Sequence, residues 1–232
     1  GRTIFNNKGN PVKQYEPFFS ATSDYEDEAA VVQWGVTPII HYDPLDRVIR
    51  TDLPNGTFSR VVFDAWKQEN WDPNDTVHDP DDPRNDTKWY TDRINGAMGS
   101  SEQRAAQLAA QHAKTPTVTH LDTLGRAFLV QADNGPDPAN PTDHLLYSTK
   151  TKLDIEGNQL AIYDARQIRL NELDPRSSIE QVFDVLGRRI EVISADAGTR
   201  LTLLDVAGKP ILTWDSRGQV ITQRYDALQR ST

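Results

Sequence analysis

The sequence predicts an all-β fold: a curved antiparallel sheet of hairpins carrying one inserted helix. Three observations lead there. An apolar or aromatic residue followed by Asp recurs at spacings of 10 or 11 residues, sometimes doubled, through the C-terminal half. Several stretches between recurrences alternate apolar and polar residues, the period of a half-buried strand. Asn55-Gly56 stands between two such stretches, a strong hairpin signal.

The recurring unit is an apolar residue, Asp, two variable residues, often Gly, then often Arg or Lys. Clear copies are YDPLDR at 42–47, LDTLGR at 121–126, FDVLGR at 183–188 and LDVAGK at 204–209. Looser copies are FDAWKQ at 63–68, LDIEGN at 153–158, YDARQI at 163–168, WDSRGQ at 214–219 and YDALQR at 225–230, with FNNKGN at 5–10 as a degenerate one. Leu153 to Tyr163 is 10 residues, Tyr163 to Phe183 is 20, and Phe183 to Leu204 is 21. In such a unit Asp takes the first place of a type I turn and Gly the fourth. The carboxylate can accept a hydrogen bond from the backbone two residues on. The turn-forming positions are therefore Tyr42 and Asp43, Asp64, Asp122 and Gly125, Asp154 and Gly157, Asp164, Asp184 and Gly187, Asp205 and Gly208, Asp215 and Gly218, and Asp226. The residue before each Asp closes a strand and turns its side chain to the core. After the turns, Ile190 and Val192 alternate with Arg189 and Glu191, and Leu201 and Leu203 flank Thr202. A strand of about six residues with a turn of about four gives the unit. Val48–Leu53 and Phe58–Phe63 are the strands around the turn Pro54–Thr57, centred on Asn55 and Gly56.

Residues 1–41 read as an irregular lead-in, with a turn at Lys8–Pro11, an acidic exposed stretch over 23–28, and a broken strand over 31–40. Residues 42–232 are the repeat region, interrupted by a loop-plus-helix insertion at 65–120. Within it, residues 72–86 hold six Asp and three Pro and read as loop. Ser100–Ala113 reads as the one convincing helix, with Ser100 as N-cap and Gln103 completing a capping box. Ala105, Leu108, Ala109 and His112 form its thin apolar stripe. Gly135–Pro141 reads as a second Pro-rich loop.

The formal net charge is −9, and the acidic surface argues against nucleic acid and anionic lipid as partners. There is no Cys, which excludes disulfides, thiolate metal sites and cysteine catalysis. No apolar run approaches a membrane span. The start at Gly-Arg-Thr and the single Met98 lead to the expectation of a piece from the interior of a longer protein. No catalytic motif is present: neither GxSxG, HExxH, a P-loop nor GxGxxG after a strand. The carboxylates at 72–82 are hard ligands suited to calcium, but they match no calcium-loop spacing. A solvated acidic loop is the expectation, with no cofactor, no metal and no enzyme activity. Trp66, Trp71 and Trp89 bracket that loop, either as a sugar platform or, as expected here, as anchors onto the sheet.

The copies YDPLDR, LDTLGR, FDVLGR and YDALQR resemble the Rhs or YD-repeat family. The segments "NPVKQYEPFFS" at 10–20, "YDPLDRVIRTDLPNGTFSRVVFD" at 42–64 and "DVAGKPILTWDSRG" at 205–218, with LDTLGR between, resemble the B component of insecticidal Tc toxin complexes. The resemblance implies a secreted bacterial toxin complex with a spiral β-sheet shell. The partners it implies are the remainder of the shell, a C-type component with its cytotoxic cargo, and a pore-forming A component reached through a propeller outside this segment. It leaves a YD-repeat adhesion or glycan-binding module as the alternative. Asp46, Gln167 and Gln229 stand where the family's turn Gly belongs, which predicts irregular turns there. Asp174–Ser177 matches the family's self-cleaving protease region only in part.

Overall fold

Most strands here are short, Ala127–Asp137 and Asn140–Leu153 being the long exceptions, and each pairs with its sequence neighbour. In a computed structural model that describes residues 2–17, 19, 23–24, 37–170 and 176–232, fifteen strands form two antiparallel sheets. β1 (Arg2–Phe5) and β2 (Pro11–Tyr15) make a two-stranded hairpin. The others are β3 (Ile39–Tyr42), β4 (Val48–Asp52), β5 (Phe58–Phe63), β6 (Lys67–Trp71), β7 (Thr117–Leu121), β8 (Ala127–Asp137), β9 (Asn140–Leu153), β10 (Gln159–Tyr163), β11 (Ile179–Phe183), β12 (Arg189–Ser194), β13 (Gly198–Leu204), β14 (Pro210–Asp215) and β15 (Val220–Thr222). These thirteen form one open sheet in chain order, β3 to β15. The three α-helices among the described residues are α1 (Lys88–Ile94), α2 (Ser100–Ala110) and α3 (Ala165–Leu170), with a single 3-10 turn at Pro83–Asn85.

The chain divides into two compact units. One runs to Val118 and includes Ala132–Leu146; the other comprises Thr119–Gln131 and Tyr147–Thr232. In the first, the lead-in expected to be irregular carries the β1–β2 hairpin. It turns through Gly9 and is held by Asn6, whose Oδ1 accepts from the backbone of Lys8 and Asn10 at 2.9 Å each. The broken strand read over 31–40 appears as β3 from Ile39; residues 31–36, and most of the acidic stretch at 23–28, lie outside the described residues.

The insertion carries a small core of its own. Val77 (1% exposed), Tyr90 and Ala106 (0%) pack together, with Trp89, Ile94, Ala109 and Ala110 around them. α1 is absent from the sequence reading because Trp, Tyr, Thr and Ile are weak helix formers. Thr87 starts it, its hydroxyl accepting from the Tyr90 N–H. α2 ends at Ala110, three residues short of the expected helix. Its N-cap is Gly99, not Ser100, and no side chain caps it. Gln103 does not reach back to a cap; its amide donates to the Ile94 carbonyl at 2.9 Å and ties α2 to the end of α1. The buried residue of α2 is Ala106, while Leu108 is exposed. A small residue sits there because Tyr90 and Val77 already fill the space.

Gly135–Pro141, expected as loop, belongs to strands. β8 runs through Gly135, Pro136 and Asp137, β9 starts at Asn140, and the reversal is confined to Pro138-Ala139. The Gly135 N–H leaves the ladder for the Asp133 carboxylate at 2.8 Å, with φ +82°. A strand accommodates Gly and Pro where its backbone departs locally from the regular extended form, as it does at Gly135.

In the second unit β10 to β15 form a meander whose strands are mostly half-buried; Ala161 alone there is a buried apolar residue among those described. Replacing Ala106 by Leu should overpack the insertion core and destabilise it by about 1–3 kcal/mol. Amide hydrogen exchange of α1 and α2 should rise together while that of β11–β14 stays unchanged.

Candidate functional site

The recurring Asp residues bring their chemistry to the strand reversals. Asp184 shows the full geometry. Its N–H donates to the Arg188 carbonyl at 2.9 Å, and the Gly187 N–H donates to its carbonyl at 3.0 Å. The carboxylate then closes the loop from inside. Oδ1 accepts from the backbone N–H of Leu186 and of Arg188, both at 2.9 Å, and Oδ2 accepts from Arg188 Nε at 2.7 Å. This is a type I turn followed by a residue at positive φ, Gly187 at +70°. Asp122 repeats it with Leu124, Gly125 and Arg126, and Asp226 with Leu228 and Arg230. Asp205 and Asp215 make the two backbone bonds without an Arg partner. Asp154 substitutes Asn158 for the Arg, its Oδ2 accepting from Nδ2 at 2.8 Å. Gly157, Gly208 and Gly218 all have positive φ.

The residue four after Asp also reaches the next turn, a role that sequence reading missed. In the second unit Arg126 Nη1 donates to the Asp154 carbonyl at 3.0 Å and to that of Ile155 at 3.2 Å. Arg188 Nη1 donates to the Asp205 carbonyl at 3.0 Å, and Lys209 Nζ donates to the Gln229 carbonyl. One guanidinium thus holds its own Asp with one edge and the neighbouring loop with another. Lys cannot offer that planar fork. A Cβ at Gly157 would make only ordinary contact with Arg126 Nη1, at 3.6 Å, so it is the φ of +95° rather than space that selects Gly there. Where the residue before the next Asp is aromatic, the cation covers its ring. Arg47 lies 4.0 Å over Phe63, and Lys209 lies 4.9 Å over Tyr225. The signal for this was in the sequence, as the Arg or Lys recurring four after Asp.

The positions lacking Gly divide. Asp46 and Gln229 were expected to give irregular turns, yet both take positive φ, +63° and +62°, and keep the same bonds around Asp43 and Asp226. Asp tolerates this region better than most residues, and Asp46 is further held by Asn10 Nδ2 at 2.8 Å and Lys8. Tyr42, before Asp43, donates its hydroxyl to the Pro11 carbonyl. Gln167 does not adopt it. Asp164 instead starts α3, its Oδ1 accepting from the Gln167 N–H at 2.8 Å, so the expected tight reversal there is a helical excursion. Asp64 closes a loop one residue shorter, accepting from Trp66 N at 3.0 Å and pairing its N–H with Lys67. Asn55-Gly56 builds the same turn without Asp: the Gly56 N–H donates to Leu53, φ is +85°, and Asn55 Oδ1 accepts from Thr57 N. Asp174 and Pro175, from the partial protease match, lie outside the described residues.

These bonds hold the carboxyls in their charged form. For Asp122 and Asp184 the Arg backbone N–H lowers the pKa most, partial burial opposes it, and the Arg side chain lowers it further. Asp226 is lowered by the Arg230 backbone and then by its side chain.

The acidic loop is folded around its own backbone. Asp72 Oδ1 accepts from Asn74 N and Asp75 N, and Asp75 accepts from Asp72 N and the Thr115 hydroxyl. Burial pushes Asp75 up. Asp79 is held far below the usual carboxylate range by Lys114 first and Asn85 second. Among the described residues no three His, Asp or Glu gather where a metal ion could be held. Arg60 lies over Trp71 at 4.1 Å and Arg93 over Trp89 at 4.6 Å, so those ring faces are occupied rather than open. Trp66 is exposed at a turn tip.

No protein-family model and no curated protein matches the chain. Solved structures do. The chain is similar to TcdB2-TccC3 with TM-score 0.74 and 25% identity, covering 97% of this chain and 10% of that one. TcdB2-TccC3-Cdc42 gives TM-score 0.76 and 25% identity over 100% of this chain and 10% of that one. A Photorhabdus luminescens Tc holotoxin pore carrying a TccC3 mutation gives 0.71 and 25%, over 97% and 10%. The chain therefore spans 10% of the length of the chains it resembles. Its fold is that of these Tc toxin chains, consistent with an Rhs/YD-repeat shell region.

Two outcomes follow from the turn geometry. Gly187→Ala should cost about 1–2 kcal/mol, since a Cβ is disfavoured at positive φ, read as a lowered thermal midpoint. Because the folded pKa of Asp122, Asp184 and Asp226 lies below the unfolded value, their contribution is complete above about pH 4 and is lost as pH falls through the folded values. Asp184→Asn should therefore flatten the acid side of a plot of thermal midpoint against pH; an unchanged acid limb would contradict this.

Proposed function

We propose that this chain, carrying the fold of Tc toxin chains, forms part of the wall of a YD-repeat shell that encloses a cytotoxic polypeptide in a secreted bacterial toxin complex. Its part is structural: no catalytic group is assigned. The observation that carries the reading is the combination of an open thirteen-strand sheet with, among the described residues, almost no buried core of its own. An enzyme domain needs a packed second layer to position reactive groups; a partition needs satisfied backbone and two accessible faces. The strand ladder supplies the first, and the half-buried strand residues supply the second. The likeness to TcdB2-TccC3 supports a shell role in a toxin complex.

On this reading the partners are the remainder of the shell, a C-type component with its cargo, and a pore-forming A component reached outside this segment. Confinement keeps the cargo inactive and out of reach of proteases. The glycan-binding alternative is less favoured, since Arg60 and Arg93 cover two of the three rings of its platform, Trp71 and Trp89, and leave Trp66 alone exposed.

The test uses the full-length protein that contains this segment, assembled with its C-type component. Limited proteolysis should spare the cargo in the parent complex and cleave it several-fold faster when Asp122→Ala and Asp184→Ala open the hairpin ends on either side of the Asp154 turn. Cargo digested at one rate in both complexes would count against enclosure. So would a glycan-array signal lost in Trp71→Ala or Trp89→Ala.

A further inference from the structure

The Asp-turn ends of the hairpins expose apolar side chains that the turn does not need. In the second unit Leu124 (66% exposed), Ile155, Val185 and Leu186, Val206 and Leu228 stand at successive tips, with Val185 and Val206 fully exposed. In the first unit Leu45 and Trp66 do the same. Turn positions ordinarily favour Gly, Pro, Asn, Asp and Ser. The reversals at the other ends of the strands follow that rule: Pro54-Asn55 and Pro138-Ala139 in the first unit, Asp196-Ala197 and Ser216-Arg217 in the second. The Asp215 turn is the internal control. It makes the same carboxylate-to-backbone bonds as Asp184, yet it lies at the other end and carries Ser216-Arg217 at its tip. Turn chemistry therefore does not call for the apolar tips; the strand end on which they lie does.

We infer that this row of tips in the second unit is a docking edge, and that its occupant is a second row of the same turns, contributed in solution by another copy of the chain. Two features select that occupant. Successive tips are two strands apart, about 10 Å, so only a partner with the same period meets every one of them. Four of the row's five turns are formally neutral in a chain of net charge −9: Asp122, Asp184 and Asp226 are paired within their own turns by Arg126, Arg188 and Arg230, and Lys209 balances Asp205, while the Asp154 turn has Asn158 in place of the Arg and adds Glu156. At those four turns two such rows approach without the repulsion that other acidic surfaces of the molecule would meet. Exposed apolar side chains repeated along one edge are the usual mark of an association surface. The inference goes beyond enclosure: it concerns how one row meets another and holds whether or not anything is confined.

Sedimentation velocity on residues 1–232 over a hundredfold concentration range tests it. Three proteins are compared: the parent chain; a tip variant with Leu124, Ile155, Val185, Leu186, Val206 and Leu228 each changed to Ser; and a strand-edge variant, Val220→Lys with Ile221→Lys. The parent should self-associate, the tip variant at least tenfold more weakly, and the edge variant like the parent. Far-UV circular dichroism checks that all three keep the sheet. With no native Cys, oxidised Leu186→Cys should cross-link copies while Arg217→Cys, at the other end, should not. A monomeric parent, an unweakened tip variant, or association abolished only in the edge variant would overturn the inference. So would tip-dependent binding to phosphatidylcholine vesicles in a parent that stays monomeric.

Discussion

Everything regular in this protein rests on one carboxylate that closes a loop from inside. An Asp at the end of a strand accepts two backbone N–H groups, two and four residues on, and in its full form an Arg side chain as well. Those N–H groups have no ladder partner at a reversal, and an unpaired backbone donor is costly. The Asp satisfies them without help from any other element. A hairpin end becomes a self-contained unit, and such units can be repeated without limit. Strand length between them is then free to vary, from three residues in β15 to fourteen in β9.

The residue four after Asp converts these separate units into a connected edge. Arg126 and Arg188 each bond their own carboxylate and the next loop's carbonyl. Arg47 and Lys209 cover the ring that precedes the next Asp. This linkage takes the place that a buried core holds in a layered domain. The sheet can therefore remain open and half-exposed, while the insertion, which lacks such turns, builds a conventional small core from Val77, Tyr90 and Ala106.

The hairpins were legible because they are local. Asp-x-x-Gly specifies a turn within four residues, and alternating side chains specify the strands beside it. The insertion was not legible for the opposite reason. α1 is a poor helix by propensity and exists because Thr87 caps it and Tyr90 is buried against Val77 and Ala106 from other segments. Gln103 was read as a capping partner, but the Ile94 carbonyl, nine residues away, competes successfully for its amide. The strands through Gly135 and Pro136 were hidden because loop-type residues there sit inside β8, at a point where Gly135 takes positive φ. The fate of Gln167 and Gln229 shows the limit most sharply. The same residue type stands at the same place in two units, and one becomes helix while the other takes the left-handed turn.

What the amino-acid order determined alone was the class of fold, the sites of reversal and the acidic, cysteine-free surface, since each is set by residues within a turn or strand of one another. Tertiary structure decided which side-chain cation reaches which neighbouring loop, which helices persist, and which strand end carries the apolar tips. Those outcomes depend on segments brought together across two strands or more, where distance in sequence no longer measures distance in space.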